Sequence, residues 1–172
     1  MFKALLASLA ATVIASPVSA AFTNQHGVRI FESSDFPLTH QPLFNALEEK
    51  GIYTIDGFDW ELCQETGANT YYAGFYSPSR NIIVLCTNSP NEDVLNTFTH
   101  EAVHAVQDCR AGLDNDDMLH GTQSHMISSL PQDELELIQT NYPRNQWHDE
   151  VEARYFADSP AAVTTGVQTF CL

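Results

Sequence analysis

The hydrophobic and polar positions of this chain change period several times, and each change marks an element. Residues 1–20, MFKALLASLAATVIASPVSA, are apolar with little interruption from Ala4 to Ala15 and close on small residues. GVRIF (27–31) predicts a strand, and QPLFNALEEKG (41–51) predicts a short helix closed by Gly51. IYTIDGF (52–58) reads as a further strand with a turn at Asp56-Gly57. In TYYAGFYSPSRNIIVLC (70–86) two β-prone runs flank Ser77-Pro78-Ser79-Arg80-Asn81, which predicts a hairpin turning at the proline.

The pattern then becomes helical. Ser89-Pro90-Asn91-Glu92 puts serine at an N-cap, proline at the first helical position and glutamate at the third, the arrangement of a capping box. It predicts a helix from about Pro90 to Cys109, closing near Gly112. At about 100° per residue, Val94, Leu95, Phe98, Ala102, Ala105 and Val106 share one arc, an apolar stripe that faces the core. His100, Glu101 and His104 line up along the edge of that stripe, which places them at a cleft margin. Residues 111–132, rich in Asp, Asn, Gly and Ser, predict an irregular segment. Within it Asp114-Asn115-Asp116-Asp117 reads as a solvated loop, because Met118 breaks an EF-hand spacing. The last clear helix is expected at Gln146 to Ala157, and the tail to Leu172 adds a short segment.

Composition changes the picture at the N-terminus first. Lys3, the apolar centre and Val18-Ser19-Ala20 have the layout of a secretory signal peptide (1–20), leaving residues 21–172 as a single domain. The chain carries 22 acidic against 7 basic side chains, a formal charge of −15. That balance argues against nucleic acid and anionic membrane surfaces as partners. No other stretch approaches the length of a membrane span, so no stable membrane association is expected once the leader is removed. The four cysteines, Cys63, Cys86, Cys109 and Cys171, suggest two disulfides with three possible pairings in a secreted or periplasmic protein. Cys171, next to the last residue, is placed to pin the C-terminus.

The chemistry is concentrated in HEAVH, residues 100–104. A helix brings residues i and i+4 onto one face, so His100 and His104 can ligate one tetrahedral Zn2+. Glu101, on the same side, can reach a water in the open position, take its proton and deliver it to a leaving amine. Metzincin spacing fails, since Gln107 and Arg110 stand where a glycine and a third histidine would be. Deformylase-type spacing fails as well, because Cys86 sits in Val-Leu-Cys-Thr. The third ligand is therefore sought in HDEVEARYFAD (148–158). There Glu150 falls beside the buried arc, small Ala153 and Ala157 permit close helix approach, and Glu152, about 200° away, is expected in solvent. His120, His125 and His148 are the other candidates for third ligand, and with Tyr142 they are the candidate oxyanion donors. Asp108, one turn after His104, is a candidate to orient a ligand imidazole.

The order of hairpin, HExxH helix and Glu150-x-x-Ala153-x-x-Phe156-Ala157 resembles zincin metallopeptidases with a glutamate third ligand. The downstream segment is similar to the ExxA(N)xFA segment of ImmA/IrrE-type metallopeptidases and the ExxAD segment of integral-membrane CAAX proteases. Arg154 departs from the Asn or Asp those families often carry. The resemblance spans Tyr71 to Ala157 and implies His100, His104 and Glu150 as zinc ligands with Glu101 as general base. The expected fold is α+β and zincin-like, a small mostly antiparallel sheet packed on the HExxH helix and a second ligand-bearing helix. The expected activity is zinc-dependent hydrolysis of a peptide or protein substrate, added as a further strand on the edge Asn81–Cys86. The alternative is a disulfide-braced, zinc-binding structural or binding protein without turnover.

Overall fold

A computed structural model describes residues 29–58, 63, 73–87, 93–112, 118–121 and 124–172. The signal-peptide segment 1–20, the start of the GVRIF run, Ser89-Pro90-Asn91-Glu92 and the acidic run 114–117 lie outside the described residues. The architecture is α+β, with a three-stranded sheet and six α-helices among the described residues. In chain order these are α1 (Gln41–Glu49), β1 (Tyr53–Asp56), β2 (Gly74–Ser77), β3 (Ile82–Leu85), α2 (Val94–Ala111), α3 (Ser124–Ser129), α4 (Gln132–Asn141), α5 (Trp147–Phe156) and α6 (Pro160–Phe170).

The hairpin forms as expected. β2 and β3 pair antiparallel, joined by a 3-10 turn at Pro78–Arg80 and by Asn81 in the left-handed region at φ 51°. The sheet as a whole is mixed, however, because β1 pairs parallel with β3 and the order is β1-β3-β2. β3 is therefore the central strand, and the expected substrate edge at Asn81–Cys86 is not an edge. The reason is visible in its composition. Ile83, Val84 and Leu85 are all fully buried, and an unbroken apolar run is what a strand covered on both faces requires. The described part of the GVRIF run, Arg29 to Phe31, meets β1 in an isolated antiparallel bridge, Ile30 to Ile55.

α2 begins later than the capping box predicts. Asp93 caps it, its carboxylate accepting from the Leu95 and Asn96 amides at 3.0 and 3.2 Å. The helix crosses the centre of the molecule, packed against β2, β3, α5 and α6. Its whole middle, Thr97 to Cys109, is buried. Phe98, Ala102, Ala105 and Val106 enter the main core with Phe36, Phe44, Leu47, Val163 and Val167. The Phe36 and Phe98 rings stand 4.5 Å apart. The expected cleft margin is thus an interior polar face, since the sheet and α5 close over the side opposite the stripe.

The stretch expected to be irregular contains α3, and α4 follows it directly. α3 and α4 pack on the apolar side of α5 through Met126, Ile138 and Val151. The tail forms α6, an eleven-residue helix held to α2 by the Cys109–Cys171 disulfide. The second disulfide joins Cys63 to Cys86 beside the sheet. Among the described residues no helix is long and apolar enough to cross a membrane.

Candidate metal centre

Two helices converge on one point. α2 supplies His100 and His104 a turn apart, and α5 supplies Glu150 from its first turn. Ala153, fully buried one turn further along α5, leaves room for the approach. His104 Nε2 lies 3.2 Å from His100 Nε2. Glu150 Oε2 lies 3.4 Å from His100 Nε2, and Glu150 Oε1 lies 3.5 Å from His104 Nε2. Zinc holds imidazole nitrogen and carboxylate oxygen at about 2.0–2.2 Å, so the corners of its tetrahedron stand about 3.3–3.6 Å apart. The two nitrogens stand near that spacing from each other, and each stands at it from one of the two Glu150 oxygens. With ligand atoms within 4.8 Å of one another, the group could hold a metal ion.

The electrostatics also suit a cation. Glu150 Oε2 is shielded from solvent and makes no aligned hydrogen bond. Burial alone would raise the Glu150 pKa, but His100 and His104, with Arg154 adding, hold it below the ordinary carboxylate value. Burial alone would lower that of His104. The Glu101 and Glu150 carboxylates and Gln107 outweigh it, and the His104 pKa stands above the usual histidine value. Negative charge thus dominates at the point where the nitrogens meet.

Glu101 is buried on the same face, towards β2. A Cβ at Gly74 would lie 2.7 Å from both Val84 O and Thr97 Cγ2 and 3.5 Å from Glu101 Cγ, so only glycine lets the strand pass this close. Tyr142, after α4, is half-buried beside the site. Burial and the Glu150 and Glu101 charges push its pKa up to about 12, which keeps the hydroxyl protonated. The other expected donors stand elsewhere. His120 pairs with Asp149 at 3.2 Å and stacks on His148, and the His125 ring meets Tyr155.

Two expectations about supporting residues fail. Asp108 is turned to the sheet: its carboxylate accepts from the Tyr76 hydroxyl at 2.6 Å and ties α2 to β2. Glu152 is not in solvent. It is 2 % exposed, accepting from Arg110 at 2.8 Å, Gly121 N at 3.0 Å and Gln107 Nε2 at 3.0 Å. Its position opposite the apolar arc is buried because α5 packs two faces, one on α3 and α4 and the other on α2. The residue that does reach a ligand ring is Gln107, with Oε1 2.8 Å from His104 Nδ1. Its spacing three residues after His104, on the same helical face, was the available signal.

Residues 90–172 match the model of a domain of unknown function, DUF8637. That stretch carries α2 to α6, and with them His100, Glu101, His104, Glu150, Gln107 and Glu152. No curated protein and no solved structure matches the chain.

Proposed function

We propose that the chain is an exported, zincin-like metallopeptidase that hydrolyses peptide bonds in a peptide or protein substrate. The observation that carries this reading is the convergence of His100, His104 and Glu150. The two Nε2 atoms stand 3.2 Å apart, and each lies 3.4 or 3.5 Å from one oxygen of the Glu150 carboxylate, close to the spacing of ligands around zinc. Export is supported by the signal-like leader and by two disulfides, which persist in oxidising compartments.

His100, His104 and Glu150 hold the ion, which when bound acidifies water and polarises a carbonyl. Glu101 accepts the proton from water and returns it to the departing amine. Its burial between α2 and Gly74 restricts the carboxylate to a narrow range of positions beside these three side chains. Tyr142 keeps its proton at neutral pH and lies within hydrogen-bond reach of Glu150, from where its hydroxyl is the candidate donor to the oxyanion that develops on the substrate. β2 is the strand that runs against α2 at Glu101, and among the described residues no strand pairs along its outer side.

The test is Glu101→Gln, read by zinc content and by cleavage of an unstructured protein substrate. The substitution should leave one zinc per chain in place and lower turnover about 10²–10⁴-fold, the usual contribution of a general base. A variant that cleaves like the wild type, or a zinc-loaded wild type that cleaves nothing in a broad peptide library, would remove the enzyme reading and leave a zinc-binding protein.

A further inference from the structure

We propose that Gln107 is a positioning residue: it fixes the tautomer of His104 and so turns the Nε2 lone pair of that ring towards the ion. The inference rests on the metal-centre reading above, but its geometry stands without the ion. Gln107 is fully buried, and the two ends of its amide meet different neighbours. One end faces the carbonyl oxygen of Asp149 and Oε2 of Glu152, each at 3.0 Å. Both neighbours only accept, so that end must be the NH2, which has one hydrogen for each. The other end is then the carbonyl oxygen, 2.8 Å from His104 Nδ1. A carbonyl oxygen only accepts, so His104 must donate Nδ1–H. In a neutral imidazole the lone pair then sits on Nε2, the atom that faces His100 and Glu150.

A histidine in water favours the opposite tautomer, with its proton on Nε2. Left alone, His104 would present a hydrogen where the ion needs a lone pair. Gln107 reverses that preference, and it is itself held against turning. A flipped amide would set its oxygen against a carbonyl and a carboxylate. Nor can the Glu152 carboxylate swing aside, because Arg110 Nη1 holds both of its oxygens, at 2.8 and 2.9 Å, and Gly121 N holds Oε2 at 3.0 Å. Gly121 is a glycine for a reason, since a Cβ there would stand 2.9 Å from Glu152 Oε1. The order of support therefore runs from Arg110 and Gly121 through Glu152 and Gln107 to His104. An amide takes the place that a carboxylate or a backbone carbonyl fills in many zinc sites.

Gln107→Met keeps the length and bulk of the side chain and removes every hydrogen bond. Two measurements decide the matter: zinc affinity by competition with a chromophoric chelator, and the ring ¹⁵N shifts of His104 in metal-free protein at a pH where the ring is neutral. Wild type should show the proton on Nδ1. Gln107→Met should lose that preference and bind zinc about 10–100-fold more weakly, the usual cost of removing such a support. A packing role alone would lower the melting temperature and move neither readout. The proposal is overturned if wild-type His104 carries its proton on Nε2, or if Gln107→Met matches wild type in both readouts. Should wild type take up no zinc, the metal-centre reading fails while the ¹⁵N shifts still decide the role of Gln107. Should Gln107→Met fail to fold, the wild-type shifts decide it.

Discussion

The two sides of α2 are equally buried and are built from opposite materials. Towards α6 and the Phe36–Phe44 cluster it presents Phe98, Ala102, Ala105 and Val106. There α6 comes so near that a Cβ on Gly166 would lie 3.3 Å from both Val106 methyl groups. Towards α5 it presents His100, His104 and Gln107, and towards β2 it presents Thr97, Glu101 and Asp108. The apolar side gains roughly 25 cal/mol for each Å² taken from water. The polar side must desolvate carboxylates and imidazoles, and it recovers that cost only where each finds a partner. Burial is therefore no guide to what an α2 residue is for: one side holds the helix in the molecule, and the other holds reactive groups in place.

The sharpest way to break this contrast is to damage each side in turn. Phe98→Ala should lose about 3–5 kcal/mol in urea unfolding, since it empties a ring-sized space between Phe36 and Phe44. Whatever fraction stays folded should bind zinc as the wild type does. A variant that keeps its stability but loses zinc would mean that the apolar side positions the ligands after all.

Gly74→Ala should have a smaller effect and a mixed one. The added methyl group meets the Val84 carbonyl, which cannot step aside, and the Thr97 methyl group next to Glu101. The expected cost is about 1–3 kcal/mol, typical of overpacking. Because the strain enters between β2 and α2 beside Glu101, the proposed turnover per folded molecule should fall while zinc affinity holds. Equal losses in both would place Gly74 in support of the ligands rather than of Glu101.

The elements that were legible in the sequence are those whose signals are local. The hairpin followed from two β-prone runs around Pro78, α1 from its apolar spacing and its Gly51 ending, and α5 came within one residue at each end. The convergence of His100, His104 and Glu150 into a group that could hold a metal ion was legible because a four-residue spacing and a wheel position are properties of single helices. What failed depended on neighbours. β3 was taken for an edge although its unbroken run Ile82–Leu85 already had the composition of a central strand. Glu152 was placed in solvent because the wheel was read as if α5 had one buried face, and the second face exists only because α2 lies there. Asp108 went to Tyr76, a residue 32 positions away, which no helical spacing foretells. α4 was missed because it buries only Ile138, too narrow a stripe to stand out by period.

The smallest expected effect is also the most informative. In metal-free protein, His100→Leu combined with Glu150→Leu replaces two desolvated polar groups by apolar ones of similar size. Gln107 keeps its bond to His104 Nδ1, while the Nε2 of that ring loses both of its neighbours. Such replacements are often neutral or stabilising, which offsets a cost of about 1–3 kcal/mol for the unpaired Nε2, and the double variant should unfold within about 2 kcal/mol of metal-free wild type. Zinc should then separate the two. At a hundredfold excess over its Kd it should stabilise wild type by about 2.7 kcal/mol and the double variant not at all. If the double variant instead loses several kcal/mol without zinc, the polar side of α2 is holding the fold together as the apolar side does. The contrast between the two sides would then be one of chemistry alone, with no division of labour behind it.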